Sequence, residues 1–158
     1  LDLLAEMLRH PFYAQQPPKS TGREVFGKPM VHELASRYGA GSTLPWPDFI
    51  ATLTRLTART IADAYRQWLA PRGLDEVVVT GGGARNPVLM EMLRHELVTV
   101  PVHDGEVLGV DGDAKEAVAF AALAWAHVRG VPSNVPAATG AQGPRVLGSY
   151  TPGRSREA

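Results

Sequence analysis

The 158-residue sequence contains no cysteine, which excludes disulfide bonds and thiolate metal ligands and is consistent with a reducing cytoplasm. Sixteen basic residues balance sixteen acidic ones, so no net charge draws the chain to nucleic acid or to a membrane, and neither partner is predicted. The longest apolar run, 117–126, is about half of the roughly 20 residues that a transmembrane helix needs. With 44% apolar residues, the composition is that of an ordinary globular domain.

Motifs for metal and nucleophilic chemistry are also missing. The five histidines have no metal-ligand spacing, and the pair His32-Glu33 lacks a second histidine. Asp111 and Asp113 resemble part of a calcium loop, but the other ligand positions do not fit. No Gly-x-Ser-x-Gly elbow occurs. We therefore predict no metal site and no nucleophilic hydrolysis within this chain.

The most informative stretch is a β-branched run that ends at three glycines and continues as a helix. Residues 77–80 favour a short strand buried on both faces, and 81–83 allow a turn through positive φ and a close approach of another group. Asn86 is placed to cap a helix that begins at Pro87 and runs to about Leu97. The stretch predicts a strand, a glycine turn and a helix N-terminus.

Two interpretations of this turn remain open. Free N–H groups and the positive end of a helix dipole suit a nucleotide. However, a dinucleotide fingerprint would need glycine where Asn86 stands, and the Gly-Lys-Ser/Thr ending of a P-loop is absent. The alternative is a tight corner that binds nothing.

Around this stretch, the periodicity and breaker residues predict a mixed α/β domain. A second apolar strand at 98–102 would complete a parallel β-α-β unit with a right-handed crossover. The helix at about 113–128 is apolar nearly all round, so it should lie deep and be capped by Gly130. The remaining predicted elements are a helix to about Arg9, a short helix started by a Thr21–Glu24 capping box, helices at 29–38 and 47–70, and a strand at 145–150.

Two further features have both a structural and a functional interpretation. The polar loop 15–24, with Lys19 and Arg23, is either solvated or lines a ligand cleft. Glu116, in the first turn of the apolar helix, is either favoured there by the helix dipole or accepts hydrogen bonds from sugar hydroxyls. The chain opens on Leu1 within an apolar helical face without a capping residue, so we expect it to be a fragment of a longer protein; residues 154–158 are expected to be loose.

Four motifs extend over nearly the whole chain. They are Pro-Pro-Lys-Ser-Thr-Gly-Arg-Glu at 17–24, Thr-Gly-Gly-Gly-Ala-Arg-Asn-Pro at 80–87, Gly-Asp-Ala-Lys-Glu-Ala at 112–117 with Ala-Phe-Ala at 119–121, and Thr-Gly-Ala at 139–141 with Leu-Gly at 147–148. Together, and in this order, they resemble the carboxyl-terminal half of the anhydro-N-acetylmuramic acid kinase family.

The resemblance implies an actin-like, ribonuclease-H-like ATPase fold of two lobes, with ATP in the cleft between them. Residues 1–153 would be most of the second lobe, with a β-α-β core and several packed helices. Family members use ATP and Mg²⁺ to phosphorylate O6 of 1,6-anhydro-N-acetylmuramic acid while water opens the anhydro bridge, which yields N-acetylmuramic acid 6-phosphate in cell-wall recycling. Relatives are typically cytoplasmic homodimers.

The resemblance also assigns residues. Gly81, Gly82 and Gly83 would bind the adenosine side of the nucleotide, Asn86 would fix the corner, and Glu116 would contact the sugar. The family's first phosphate loop and its general-base aspartate have no counterpart here, so the chain alone should not catalyse. A stand-alone nucleotide-binding or interaction module and another sugar kinase of the same fold are the alternatives.

Overall fold

The computed structural model describes residues 3–38, 44–109, 112 and 114–153. It shows a mixed α/β protein in two compact units, 1–112 and 113–158, which are described separately. In the first unit, the helices are α1 (Leu3–Met7), α2 (Pro11–Ala14), α3 (Lys28–Tyr38), α4 (Trp46–Ala64) and α5 (Pro87–Glu96), and the strands are β1 (Val77–Val79) and β2 (Val102–Asp104). In the second unit, the helices are α6 (Lys115–Val128) and α7 (Pro136–Thr139).

Strands β1 and β2 are parallel, as predicted, and pair Val77 with Val102 and Val79 with Asp104. The predicted bounds of β2 are wrong, because residues 98–101 form the turn that returns the chain to the sheet. Val98 is 82% exposed, and the ladder begins only where Val77 N donates to Pro101 O. The handedness of the crossover stays a prediction.

The core beside the sheet is formed by α4 and α5. Leu93 of α5 is 1% exposed, and Ala58 and Ala62 of α4 are fully buried against the same cluster. Alanines on α4 allow the larger side chains of α5 to approach closely. The prediction that this strand is buried on both faces is wrong, because Val77 is buried whereas Val78 and Val79 are only partly covered.

Helix α4 begins as predicted but does not stay α-helical to residue 70. A π-helical turn at Tyr65–Leu69 and a 3₁₀ turn at Ala70–Arg72 follow it, and the chain leaves them at Gly73 with φ of 91°. Pro71 lacks the N–H that would continue the helical ladder. Glu96, at the end of α5, holds the altered segment through a 3.1 Å ion pair with Arg66.

A second apolar cluster joins α1, α3 and α4 in the first unit. Its buried members are Leu3, Met7, Leu34, Phe49 and Leu56. At its edge, the Tyr38 hydroxyl donates to Glu6, and Arg37 lies 2.7 Å from the same carboxylate. The Tyr38 hydrogen bond and then Arg37 hold the pKa of Glu6 below its usual value.

The segment between α1 and α3 differs from its prediction. Helix α2 was not predicted; His10 caps it by accepting from Phe12 N at 3.2 Å. The short helix predicted from Thr21 and Glu24 is wrong, because Val25 N and Phe26 N both donate to Gly22 O and close a turn instead. The predicted second helix is confirmed as α3, while its glycine stops, Gly39 and Gly41, lie outside the described residues.

In the second unit, α6 ends as predicted. Gly130, with φ of 65°, follows the helix, and Val131 N donates to Ala126 O at 2.8 Å. Together with Gly130 N to His127 O at 3.0 Å, this is the Schellman arrangement that satisfies the last carbonyls.

The prediction that α6 lies deep is wrong. Phe120 is 70% exposed and Trp125 is 60% exposed, and only Ala126 of this helix is buried. Within its described residues 114–153, the second unit contains one further helical turn, α7, and no strand. These residues therefore cover only one side of α6. No helix within the described parts of the chain is long and apolar enough to cross a membrane.

The predicted strand at 145–150 is also wrong. Asn134 holds the start of this segment, because its side chain donates to Gly143 O at 3.0 Å and accepts from Arg145 N at 2.6 Å. Further on, His127 Nδ1 lies 2.9 Å from Leu147 O, which ties the segment to α6. A strand needs a ladder of backbone partners, and these side-chain contacts take its place.

Candidate functional site

The corner between β1 and α5 contains four of the five predicted site residues. Gly81 follows the end of β1 with φ of 77° and ψ of −166°, angles that are accessible almost only to glycine. A 3₁₀ turn at Gly82–Arg85 then leads to Asn86, and the helix begins at Pro87 as predicted. Only Gly81 of the three glycines has positive φ.

Asn86 caps α5 as predicted. Its side-chain oxygen accepts from Val88 N at 3.1 Å and from Leu89 N at 3.2 Å, while its own carbonyl accepts from Met90 N. Pro87 occupies the first helical position, where a missing N–H costs nothing. The carboxamide oxygen is therefore already used within the corner.

The 3₁₀ turn is held by its own backbone. Ala84 N donates to Gly81 O and Asn86 N donates to Gly83 O, both at 3.1 Å. Gly82 and Gly83 are exposed, and a Cβ on Gly82 would meet no atom within 4 Å. The outer side of the corner is thus open to a ligand that approaches the main chain.

Two further glycines lie beside this corner: Gly112 was noted only as the first residue of a family motif, and Gly105 was not singled out. Gly105 is buried directly after β2, and a Cβ placed on it would lie 3.0 Å from Thr80 Cγ2. A Cβ placed on Gly112 would lie 3.7 Å from Gly81 N. The strand pairing brings Gly105 to Thr80, a relation that no local sequence pattern reveals.

Glu116, the predicted sugar contact, lies in the first turn of α6 in the second unit and is exposed. Its role as a sugar contact stays a prediction. Asp111 and Asp113 lie outside the described residues. Within the described residues, no group of three metal-binding side chains occurs.

The loop around Lys19 has a structural role. Lys19 Nζ donates to Phe12 O at 3.0 Å and to Tyr13 O at 3.1 Å, and it lies 4.8 Å from the centre of the Phe12 ring. Lys19 therefore supplies hydrogen-bond donors to two backbone carbonyls of α2. Arg23 is exposed, and its predicted alternative role at a ligand cleft is untested.

These features define an α/β protein with an open glycine corner between a parallel strand and a capped helix. Residues 1–153 match the sequence profile of the anhydro-N-acetylmuramic acid kinase family. The chain belongs to this family.

Individual relatives agree with the family match. The chain is 48% identical over 152 residues to an anhydro-N-acetylmuramic acid kinase of Streptomyces avermitilis. The aligned region covers 96% of this chain and 38% of the relative. It is 47% identical over 153 residues to that of Rhodococcus erythropolis, with 97% and 37% covered. The Salinibacter ruber kinase is 42% identical over 151 residues, with 95% and 38% covered. The chain therefore spans well under half the length of these relatives.

Proposed function

We propose that this chain is part of an ATP-dependent kinase that phosphorylates anhydro-N-acetylmuramic acid at O6 while water opens the anhydro bridge. The observation that carries the proposal is the family match over residues 1–153, supported by relatives of that name at up to 48% identity. Phosphoryl transfer from ATP requires positioned phosphates and Mg²⁺, which neutralises the developing charge. Within the complete protein, cell-wall recycling in the cytoplasm is the proposed setting.

The corner between β1 and α5 is the part of this chain proposed to bind the nucleotide. Gly81, Gly82 and Gly83 allow the adenosine side of ATP to approach the main chain, and Asn86 keeps the first turn of α5 in place. The exposure of Gly82 and Gly83 supports this role. Glu116 is proposed to accept hydrogen bonds from the sugar, and its exposure leaves it accessible.

The actin-like fold and the lobe assignment belong to the same proposal. We place the chain in the carboxyl-terminal lobe, so the general-base aspartate would be encoded upstream of Leu1. The test is to sequence the reading frame on both sides of this segment. A glycine-rich strand-turn and a buried aspartate upstream would support the placement. A long extension downstream alone would assign the chain to the amino-terminal part instead.

The activity is tested with the complete parent protein, ATP, Mg²⁺ and anhydro-N-acetylmuramic acid in water labelled with heavy oxygen. We expect mass spectrometry to find a sugar 6-phosphate with the label at the anomeric hydroxyl. An unlabelled phosphate, or no phosphorylated sugar from a folded protein, would contradict the proposed reaction. The isolated chain is the matched control, and turnover by it at the full-length rate would contradict the requirement for a second lobe.

A stand-alone nucleotide-binding module is the second candidate. It is favoured by one observation: the whole glycine corner lies within the first compact unit. This candidate predicts ATP binding by the parent protein without sugar phosphorylation. The homodimer expected from the resemblance is tested separately by sedimentation of the complete protein.

A further inference from the structure

We infer that Gly105 is a positioning residue for the glycine corner. The absence of a side chain at 105 lets β2 approach Thr80, and Thr80 in turn fixes where the Gly81 turn begins. The expected effect of Gly105 on the affinity for ATP rests on the proposed function. The contact itself is a property of the first unit.

The strand register brings the two residues together. Val79 pairs with Asp104 in the parallel ladder, so Thr80 and Gly105 are the first residues after the two strands. Gly105 is buried at this position. Thr80 leads directly into Gly81, whose backbone angles are restricted to glycine. A shift of Thr80 is therefore passed to the corner through one peptide bond.

The distances show how little room is left. A Cβ on Gly105 would lie 3.0 Å from Thr80 Cγ2, but 3.6 Å from Thr80 Cβ and 3.7 Å from Val79 O. Only the γ-methyl contact is shorter than ordinary van der Waals separation. Gly105 does not have positive φ, so alanine can adopt its backbone angles. A Gly105→Ala substitution thus tests this one methyl contact.

The contact can be relieved by a second substitution. Thr80→Ser removes Cγ2 and keeps the hydroxyl, so the double variant Gly105→Ala with Thr80→Ser has no overlap left. Gly143→Ala is the matched control, because a Cβ at 143 would meet nothing within 4 Å and φ there is not positive. These variants separate the general effect of replacing a glycine by alanine from the steric overlap with Thr80 Cγ2.

The experiment uses the complete parent protein with two readouts: steady-state kinetics with ATP and amide hydrogen exchange at Ala84 and Asn86, whose N–H groups close the glycine turn. We expect Gly105→Ala to raise the KM for ATP roughly three- to tenfold with a smaller change in kcat, because a few tenths of an ångström of misplacement weakens positioning. Exchange at Ala84 and Asn86 should accelerate, because displacement of Gly81 and Gly83 weakens the two hydrogen bonds of the turn. Thr80→Ser should reverse both effects, and Gly143→Ala should cause neither.

The outcomes decide the two proposals separately. Unchanged exchange in Gly105→Ala, or a change that Thr80→Ser does not reverse, would overturn the positioning role. If wild type does not use ATP, the proposed function fails, and the exchange data still decide the role of Gly105. If Gly105→Ala does not fold, folding of the double variant supports the contact, and misfolding of both overturns it.

Discussion

The cap formed by Asn86 allows a direct test of how the corner is built. Its carboxamide oxygen accepts from two first-turn amides of α5, at 3.1 Å from Val88 N and 3.2 Å from Leu89 N. In Asn86→Ala, both amides lose this partner. Because Asn86 is exposed, water replaces the oxygen in part, and we expect a loss of about 1 kcal/mol rather than the cost of a buried unpaired group.

The assay is amide hydrogen exchange resolved by residue. A loss of about 1 kcal/mol corresponds to roughly fivefold more frequent opening of the first turn, so Val88 and Leu89 should exchange roughly fivefold faster in Asn86→Ala. Asn86→Ser is the control, since serine supplies a neutral cap oxygen, and it should exchange like wild type. Wild-type protection in the alanine variant would refute the capping argument.

The same variants separate two roles of Asn86 in nucleotide binding. If Asn86 acts only by holding α5, the serine variant should bind ATP like wild type and the alanine variant should bind it more weakly. If the carboxamide contacts the nucleotide, the serine variant should keep its exchange protection and lose affinity. Titration calorimetry with ATP on the complete protein distinguishes these results.

Three further predictions concern the core, the acid stability and the turn. Leu93→Ala should lower the free energy of unfolding in urea by about 2–5 kcal/mol, whereas Val98→Ala at an exposed position should change it by less than about 0.5 kcal/mol; equal losses would contradict the core assignment. The pKa of Glu6 is lowered by its tyrosine hydrogen bond, so its stabilisation is present above the unfolded pKa of about 4.3 and is lost as pH falls through the lower folded value. Glu6→Gln should therefore lose less thermal stability than wild type between about pH 6 and about pH 3, and parallel curves would contradict this. Gly81→Ala should cost about 1–3 kcal/mol because its φ is positive, while Gly82→Ala should be tolerated in thermal unfolding; equal effects would contradict the assigned backbone angles.

Elements with local signals were predictable from the sequence. The cap and proline at 86–87 determine where α5 begins, and the apolar periodicity of 47–64 determines α4. Parallel pairing of the two apolar runs also followed from their separation by a helix. These features depend on neighbours within a few residues or on the geometry of a single crossover.

The remaining elements depend on partners that are distant in sequence. The segment 145–150 has strand composition but finds side-chain contacts from Asn134 and His127 instead of a ladder. Helix α6 has an apolar composition, yet burial requires surrounding elements that the described part of its unit does not supply. For the candidate site, the glycines and Asn86 were found from local pattern, whereas Gly105 became visible only through the register of β1 and β2.

The chemistry of the corner favours binding over bond breaking. Gly81, Gly82, Gly83, Ala84 and Asn86 carry no titratable side chain, and the guanidinium of Arg85 is a donor only, so none of these residues can take a proton from an attacking water. What the corner offers is a main chain fixed by its own hydrogen bonds and a helix that begins with a capped turn, which suits a negatively charged or polar ligand. Most of the Streptomyces avermitilis relative lies outside the matched region. Under the proposed function, the corner would hold the nucleotide, and another part of the protein would accept the proton.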